Sequence, residues 1–340
     1  MDLLIGTLFL ILVLVVFTLF TYKAPSGMRA MGALANAAIA SFLVEAFNKY
    51  VGGQVFGIKF LEELGDAAGG LGGVAAAGLT ALAIGVSPVY ALVIGAACGG
   101  MDLLPGFFAG YIVGYMMKYT EKYVPDGIDL IGSIILLAPI ARLIATGLTP
   151  IVNNTLIKIG DIIQSSTDAN PLIMGIVLGG IITVVGTAPL SSMALTALLG
   201  LTGAPMAIGA MAAFSSAFMN STLFHRLKLG DRKSTISVGI EPLSQADIVS
   251  ANPIPIYVTN FFGGAIAGII IAWSGMTTGT ATPIAGFLVM FGFNSLTKVI
   301  IYGVVMAIIG TIAGFVGSIV FKKYPIITKR QMLERDVTPN

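Results

Sequence analysis

Ten apolar stretches, separated by short polar or glycine-rich breaks, account for most of this chain. They run over residues 3–21, 27–47, 69–98, 102–118, 128–156, 171–189, 203–223, 254–274, 277–293 and 296–321. A helix of about 20 apolar residues crosses a hydrocarbon core of about 30 Å. At that depth the backbone must satisfy its own hydrogen bonds, which only helices and closed barrels do. The runs lack the apolar/polar alternation of a lipid-facing strand, so the sequence predicts an all-α polytopic membrane protein. Composition agrees. With 56% hydrophobic and 10% charged residues and a mean hydropathy of +0.95, the chain has little from which to build a water-exposed surface.

Not every stretch reads as one crossing. Residues 69–98 are too long for a single span and carry Ser87-Pro88 at their middle, where proline removes a backbone donor. Residues 277–293 are short, threonine-rich and interrupted by Pro283, as in a half-crossing or re-entrant hairpin. About eight to ten transmembrane helices with re-entrant hairpins are expected on the length criterion. Residues 3–21 follow Asp2 rather than a basic segment and end without a small-residue cleavage site, so they read as a retained helix. The expected organisation is an N-terminal helix and linker over 1–26, a transport domain over 27–321 and a basic cytoplasmic tail over 322–340. Glycines spaced by four, such as Gly106, Gly110 and Gly114, Gly175 with Gly179, Gly264 with Gly268, and Gly310 with Gly314, mark smooth helix faces for close contact.

The composition also excludes functions. A net charge of +2 without a basic face argues against nucleic acid. One cysteine and one histidine leave no disulfide framework and no Cys/His metal site. There is no phosphate loop and no dinucleotide fingerprint, so no cofactor, metal or catalytic centre of its own is expected. Basic residues cluster at Arg226, Lys228, Arg232 and Lys233 and again from Lys322 to Arg335, and both clusters should face the cytoplasm.

Polar residues within the apolar runs are the site candidates, because each is costly in lipid. Arg142, Thr146, Thr149 and Asn153 share one helical face. They line a solute path, or Arg142 pairs with an acid such as Asp102 and holds the bundle together. Asp102, before Pro105, is a site acid or an ordinary helix N-terminal group. Asn220, Asn260 and Thr187 either contact a ligand or bridge helices. Residues 234–260 are the most informative: too polar for a span and too apolar for a loop, with Glu241, Asp247, Pro242, Pro253 and Pro255. They suggest a hairpin dipping into the membrane, whose broken backbone presents free N–H and C=O groups. Glu241 there grips hydroxyls of a polyol, or is a loop acid near the surface.

The segments GGMDLLPGFFAGYIVGYMMKY, LIMGIVLGGIITVVGTAPLSSMA, APMAIGAMAA and SVGIEPLSQADIVSANPIP resemble, in this order, the fructose-type membrane (IIC) components of the bacterial phosphotransferase system. The resemblance covers about residues 28–320 and is closest to the divergent branch that includes perfringolysin regulator-like membrane proteins. It implies a homodimeric sugar permease in the bacterial plasma membrane. Its hairpin glutamate, Glu241 here after Gly239 and Ile240, would contact the sugar, and separate IIB and IIA proteins would supply the phosphoryl group. Pro242 stands where that family has glycine, and the threonine before the glutamate is missing. Two alternatives stay open: a membrane sensor that binds a ligand without transport, and a secondary transporter in which Asp102 or Asp247 carries a proton.

Overall fold

The computed structural model describes residues 2–125, 127–167, 170–190, 195–196, 199–279, 286–331 and 334. Among them it is helical, with one isolated bridge between Gly203 and Thr278. Six helices are long and apolar enough to cross a membrane, seven with one bent pair, and two shorter apolar helices accompany them.

The chain starts with α1 (Asp2–Lys23) and α2 (Gly27–Ala38), the latter continued by wider π-helical turns over Ile39–Leu43 and Ala46–Val55. Helix α3 (Lys59–Gly69) is amphipathic and bends by 50° into α4 (Gly72–Ala83). The apolar runs do not reveal α3, because four of its eleven residues are charged. The break at Ser87-Pro88 is where expected. Gly85 turns the chain at a φ of +99°, and α5 (Pro88–Ala97) starts on the proline, whose missing N–H costs nothing in a first turn. Then come α6 (Leu103–Tyr123), α7 (Ile128–Gly132), α8 (Ala138–Thr167), and α9 (Pro171–Thr187). Asn170 caps α9 by accepting from the Ile173 N–H at 3.0 Å.

Helix α10 (Gly203–Leu227) leads into the hairpin. Its first arm is α11 (Arg232–Ile240), its bend Glu241 and a tight 3₁₀ turn (Pro242–Gln245), and its second arm α12 (Ala246–Ala251). Next follow α13 (Pro253–Ala272), the short α14 (Gly286–Val289) and α15 (Leu296–Val320). The centre of the threonine-rich stretch, 280–285, lies outside the described residues.

The glycine ladders pack helices of this one chain. A Cβ on Gly110 would lie 2.3 Å from the Ala77 carbonyl oxygen, which seats α6 on α4. A Cβ on Gly179 would lie 2.1 Å from the Gly264 oxygen, and one on Gly310 2.1 Å from the Ser215 oxygen. Side chains there would force α9 from α13 and α15 from α10, so the spacing sets backbone contact directly. Helix α1 joins the bundle through Phe20, which meets the Phe107 and Tyr111 rings edge-on, while Tyr111 donates to the Pro25 oxygen at 2.6 Å.

After α15 the tail turns back onto the hairpin. Ile326 and Ile327 pack on the core. Asn252 grips the Ile327 backbone twice, donating to its oxygen at 2.8 Å and accepting from its N–H at 2.9 Å. The Lys329 N–H bonds to the Leu229 oxygen at 3.1 Å, and its ammonium reaches Ser234 Oγ at 3.3 Å. The tail thus joins both ends of the segment that carries Glu241.

Candidate functional site

A cavity of about 370 Å³ opens where α9, α10, the hairpin bend, the second helix's Phe47 and α14 converge. Its size suits a small organic ligand. The hairpin can enter the bundle because Gly239 lies against α10, where a Cβ would meet Ser221 Oγ at 2.3 Å. Ser221 in turn donates to the Thr235 oxygen at 3.3 Å. Extended backbone at Glu241, φ −148° and ψ 109°, then ends α11 and directs the carboxyl group to the wall.

Glu241 is 7% exposed, and among the described residues it is the one ionisable side chain on that wall. Its Oε1 accepts from the Leu243 N–H at 3.3 Å. A buried carboxylate with a single long bond is poorly compensated for its lost hydration, which leaves acceptor capacity for donors in the cavity. Thr183, Ser216 and Ser221 are also among the lining residues, but each hydroxyl proton goes to a backbone oxygen, of Asn260, Ala213 and Thr235 respectively, so toward a ligand these groups keep acceptor capacity only. The remainder is apolar and aromatic: Phe214 and Phe287 stack with centroids 4.3 Å apart and planes 14° off parallel, and Phe218 meets Phe214 edge-on.

The geometry therefore combines one carboxylate, a few hydroxyls, flat ring faces and a broken helix. No cluster of His, Cys, Asp or Glu that could hold a metal occurs among the described residues. Against this background, a family model described as "Phosphotransferase system, EIIC" matches residues 28–333. The chain belongs to that family. It is a multi-pass membrane protein and a sugar-transport permease subunit, for which the family implies a sugar substrate and IIA and IIB partners. The comparisons with curated proteins and with solved structures each find no match.

The other candidates of this EIIC chain lie in several places. Asn220 and Asn260 are fully buried side by side behind the cavity, not on its wall. Asn260 Nδ2 donates to Asn220 Oδ1 at 2.7 Å and to the Ile256 oxygen at 2.9 Å, and Asn220 Nδ2 returns a 3.3 Å bond. They tie α10 to α13. Thr187 ends α9 and donates to the Thr183 oxygen at 2.6 Å. Thr183, one turn earlier, reaches the wall, and its hydroxyl lies 2.8 Å from the Asn260 carbonyl oxygen.

Arg142 meets backbone rather than an acid. Its Nη1 donates to the Gly99 oxygen at 2.5 Å and sits 3.4 Å from the Ala97 oxygen, at the end of α5. A cation there satisfies free terminal carbonyls and complements the helix dipole. Asp102 is the exposed residue before α6, without a side-chain capping bond. Asn153 is half-buried on α8, away from the Glu241 cavity. Asp247 borders a separate cavity of about 430 Å³ with Arg29, Asn36 and Lys329.

Sequence reasoning did not name Phe47, Phe214, Phe218, Phe287 or Thr183 as site residues. In an apolar run a phenylalanine that lines a cavity is indistinguishable from one that faces lipid. Thr183 carried a weak signal, lying one turn before Thr187 on the same face.

Proposed function

We propose that this EIIC protein binds a small sugar or polyol in the Glu241 cavity near the middle of the bilayer and passes it to a separate IIB protein for phosphorylation. It does so as a homodimer in the bacterial plasma membrane and belongs to the fructose-type branch, near the perfringolysin regulator-like proteins. The observation that carries the reading is the burial of Glu241 on the cavity wall beside the stacked Phe214–Phe287 pair. A sugar presents hydroxyls at its rim and C–H groups on its faces. The carboxylate accepts hydroxyl hydrogens in charge-assisted bonds, the serine and threonine oxygens, whose own protons are bound to backbone, accept further ones, and the rings offer an apolar face.

The chain contributes binding and passage, and the phosphoryl group comes from the partner. Movement of the hairpin about Glu241–Pro242, where helical hydrogen bonding is already broken, exposes the ligand first to one side and then to the other. The contact between tail and hairpin favours one second reading: a sensor whose ligand changes the tail's grip on residues 229–252.

The test is solute uptake into vesicles with and without a IIB protein and phosphodonor. Uptake that requires both supports the permease. Ligand binding without flux supports the sensor. Flux that follows a proton gradient and ignores the phosphodonor overturns both and assigns Asp102 or Asp247 a proton-carrying role.

A further inference from the structure

A second concavity, of about 460 Å³, lies between α13 and α15. Gly263, Ala313 and Gly317 form its floor, and the exposed side chains of Phe262, Ile312 and Val316 rise on its sides. Its one hydroxyl, Thr259 Oγ1, is spent on the Pro255 oxygen at 2.6 Å. The groove thus offers a ligand no polar partner along its length.

Two features indicate its occupant. The groove spans Ile309 to Phe321, about 18 Å at 1.5 Å per residue, little more than half of a hydrocarbon core of about 30 Å. That is the depth of one leaflet. At its Phe321 end come Lys322 and Lys323, both exposed and adjoining the last groove residue in sequence. An apolar channel one leaflet deep, ending at paired cations on the side that the basic loops assign to the cytoplasm, complements an anionic amphiphile.

We propose that this groove binds an acyl chain of an anionic phospholipid of the cytoplasmic leaflet, with the headgroup phosphate on Lys322 and Lys323. The small floor residues let the chain lie close against the helix backbones, and the lysines select the headgroup. A helix from a second copy is the rival occupant.

Native mass spectrometry of the detergent-solubilised full chain, titrated with phosphatidylglycerol or phosphatidylcholine, tests this. One phosphatidylglycerol should bind at least tenfold more tightly than phosphatidylcholine. At about 1 kcal/mol per lysine, K322Q/K323Q should weaken phosphatidylglycerol binding by roughly tenfold to thirtyfold and remove the preference. Val316→Trp fills the groove from an exposed position, so it should leave the fold intact and abolish both affinities. Equal binding of the two lipids to the unaltered chain overturns the proposal. So does a headgroup preference that survives V316W, since the lysines would then act without the groove, or a lipid-free dimer broken by V316W.

Discussion

The paired amides Asn220 and Asn260 provide a sharp test, because the two roles open to them predict opposite measurements. Both side chains are fully buried and exchange two hydrogen bonds. Asn260→Ala removes those bonds and the one to Ile256, and leaves the Asn220 amide buried without its partner. An unsatisfied buried amide costs about 1–3 kcal/mol. Measured interhelical hydrogen bonds in membranes average about 0.6 and reach about 1.7 kcal/mol, because the unfolded state in lipid finds other partners. We expect each single alanine variant to lose about 1.5–2 kcal/mol. The double variant should lose scarcely more, a coupling of about 1.5 kcal/mol. Unfolding in mixed detergent micelles, followed through the single tryptophan, Trp273, reads the cycle. Ligand affinity should change less than about threefold, because Thr183 meets the backbone of Asn260 and keeps its place on the cavity wall. Single effects that add to within about 0.5 kcal/mol, or an affinity loss above tenfold with unchanged stability, would refute the bridge.

Three further outcomes follow from the packing. Gly179→Val should reduce folded yield sharply, with a cost at or above the roughly 1–3 kcal/mol of overpacking, because even its Cβ meets the Gly264 oxygen. Gly147→Ala, with nothing within 4 Å of the added carbon, should be neutral or slightly stabilising in a thermal melt. Asn252→Ala should free the tail, seen as faster hydrogen exchange at residues 326–329 and 229–234 together, while the α9–α13 contact stays protected. In the loop between α10 and α11, the Ser234 backbone N–H and side chain hold the Asp231 carboxyl below its usual range. The stability this gives is present above the unfolded carboxyl value of about 3.9 and is lost as pH falls through the lower folded value. Protection at the start of α11, taken relative to the intrinsic exchange rate at each pH, should therefore fall with acidification in the unaltered chain and show no such dependence in Asp231→Asn.

Features set by local chemistry were legible in the sequence. The apolar runs foretold the spans, Ser87-Pro88 the break between α4 and α5, and the glycine spacing the faces on which α6, α9, α13 and α15 make contact. The mixture of Glu241, prolines and small polar residues foretold a broken segment rather than a rod, and the segment folds as two short arms about a tight turn. Features that depend on distant partners were not legible. Asn220 and Asn260 are 40 residues apart, and an amide in an apolar run bridges helices or faces a cavity with the same local pattern. Arg142 shares a helical stripe with Asn153, yet its partners are carbonyls at the end of α5, backbone groups that no side-chain pattern reveals. Phe287 becomes a site residue only through its stack on Phe214. Helix α3 escaped because its two faces average to neither span nor loop.

The central claim is that the buried carboxylate of Glu241 holds a hydroxyl-bearing solute. Its most direct test is the thermal shift of the purified protein across a panel of hexoses, pentoses and polyols, with Glu241→Gln beside the unaltered chain. The account predicts that at least one sugar raises the melting temperature of the unaltered protein, and that Glu241→Gln loses this shift while melting normally without sugar. The same shift in both proteins would contradict it.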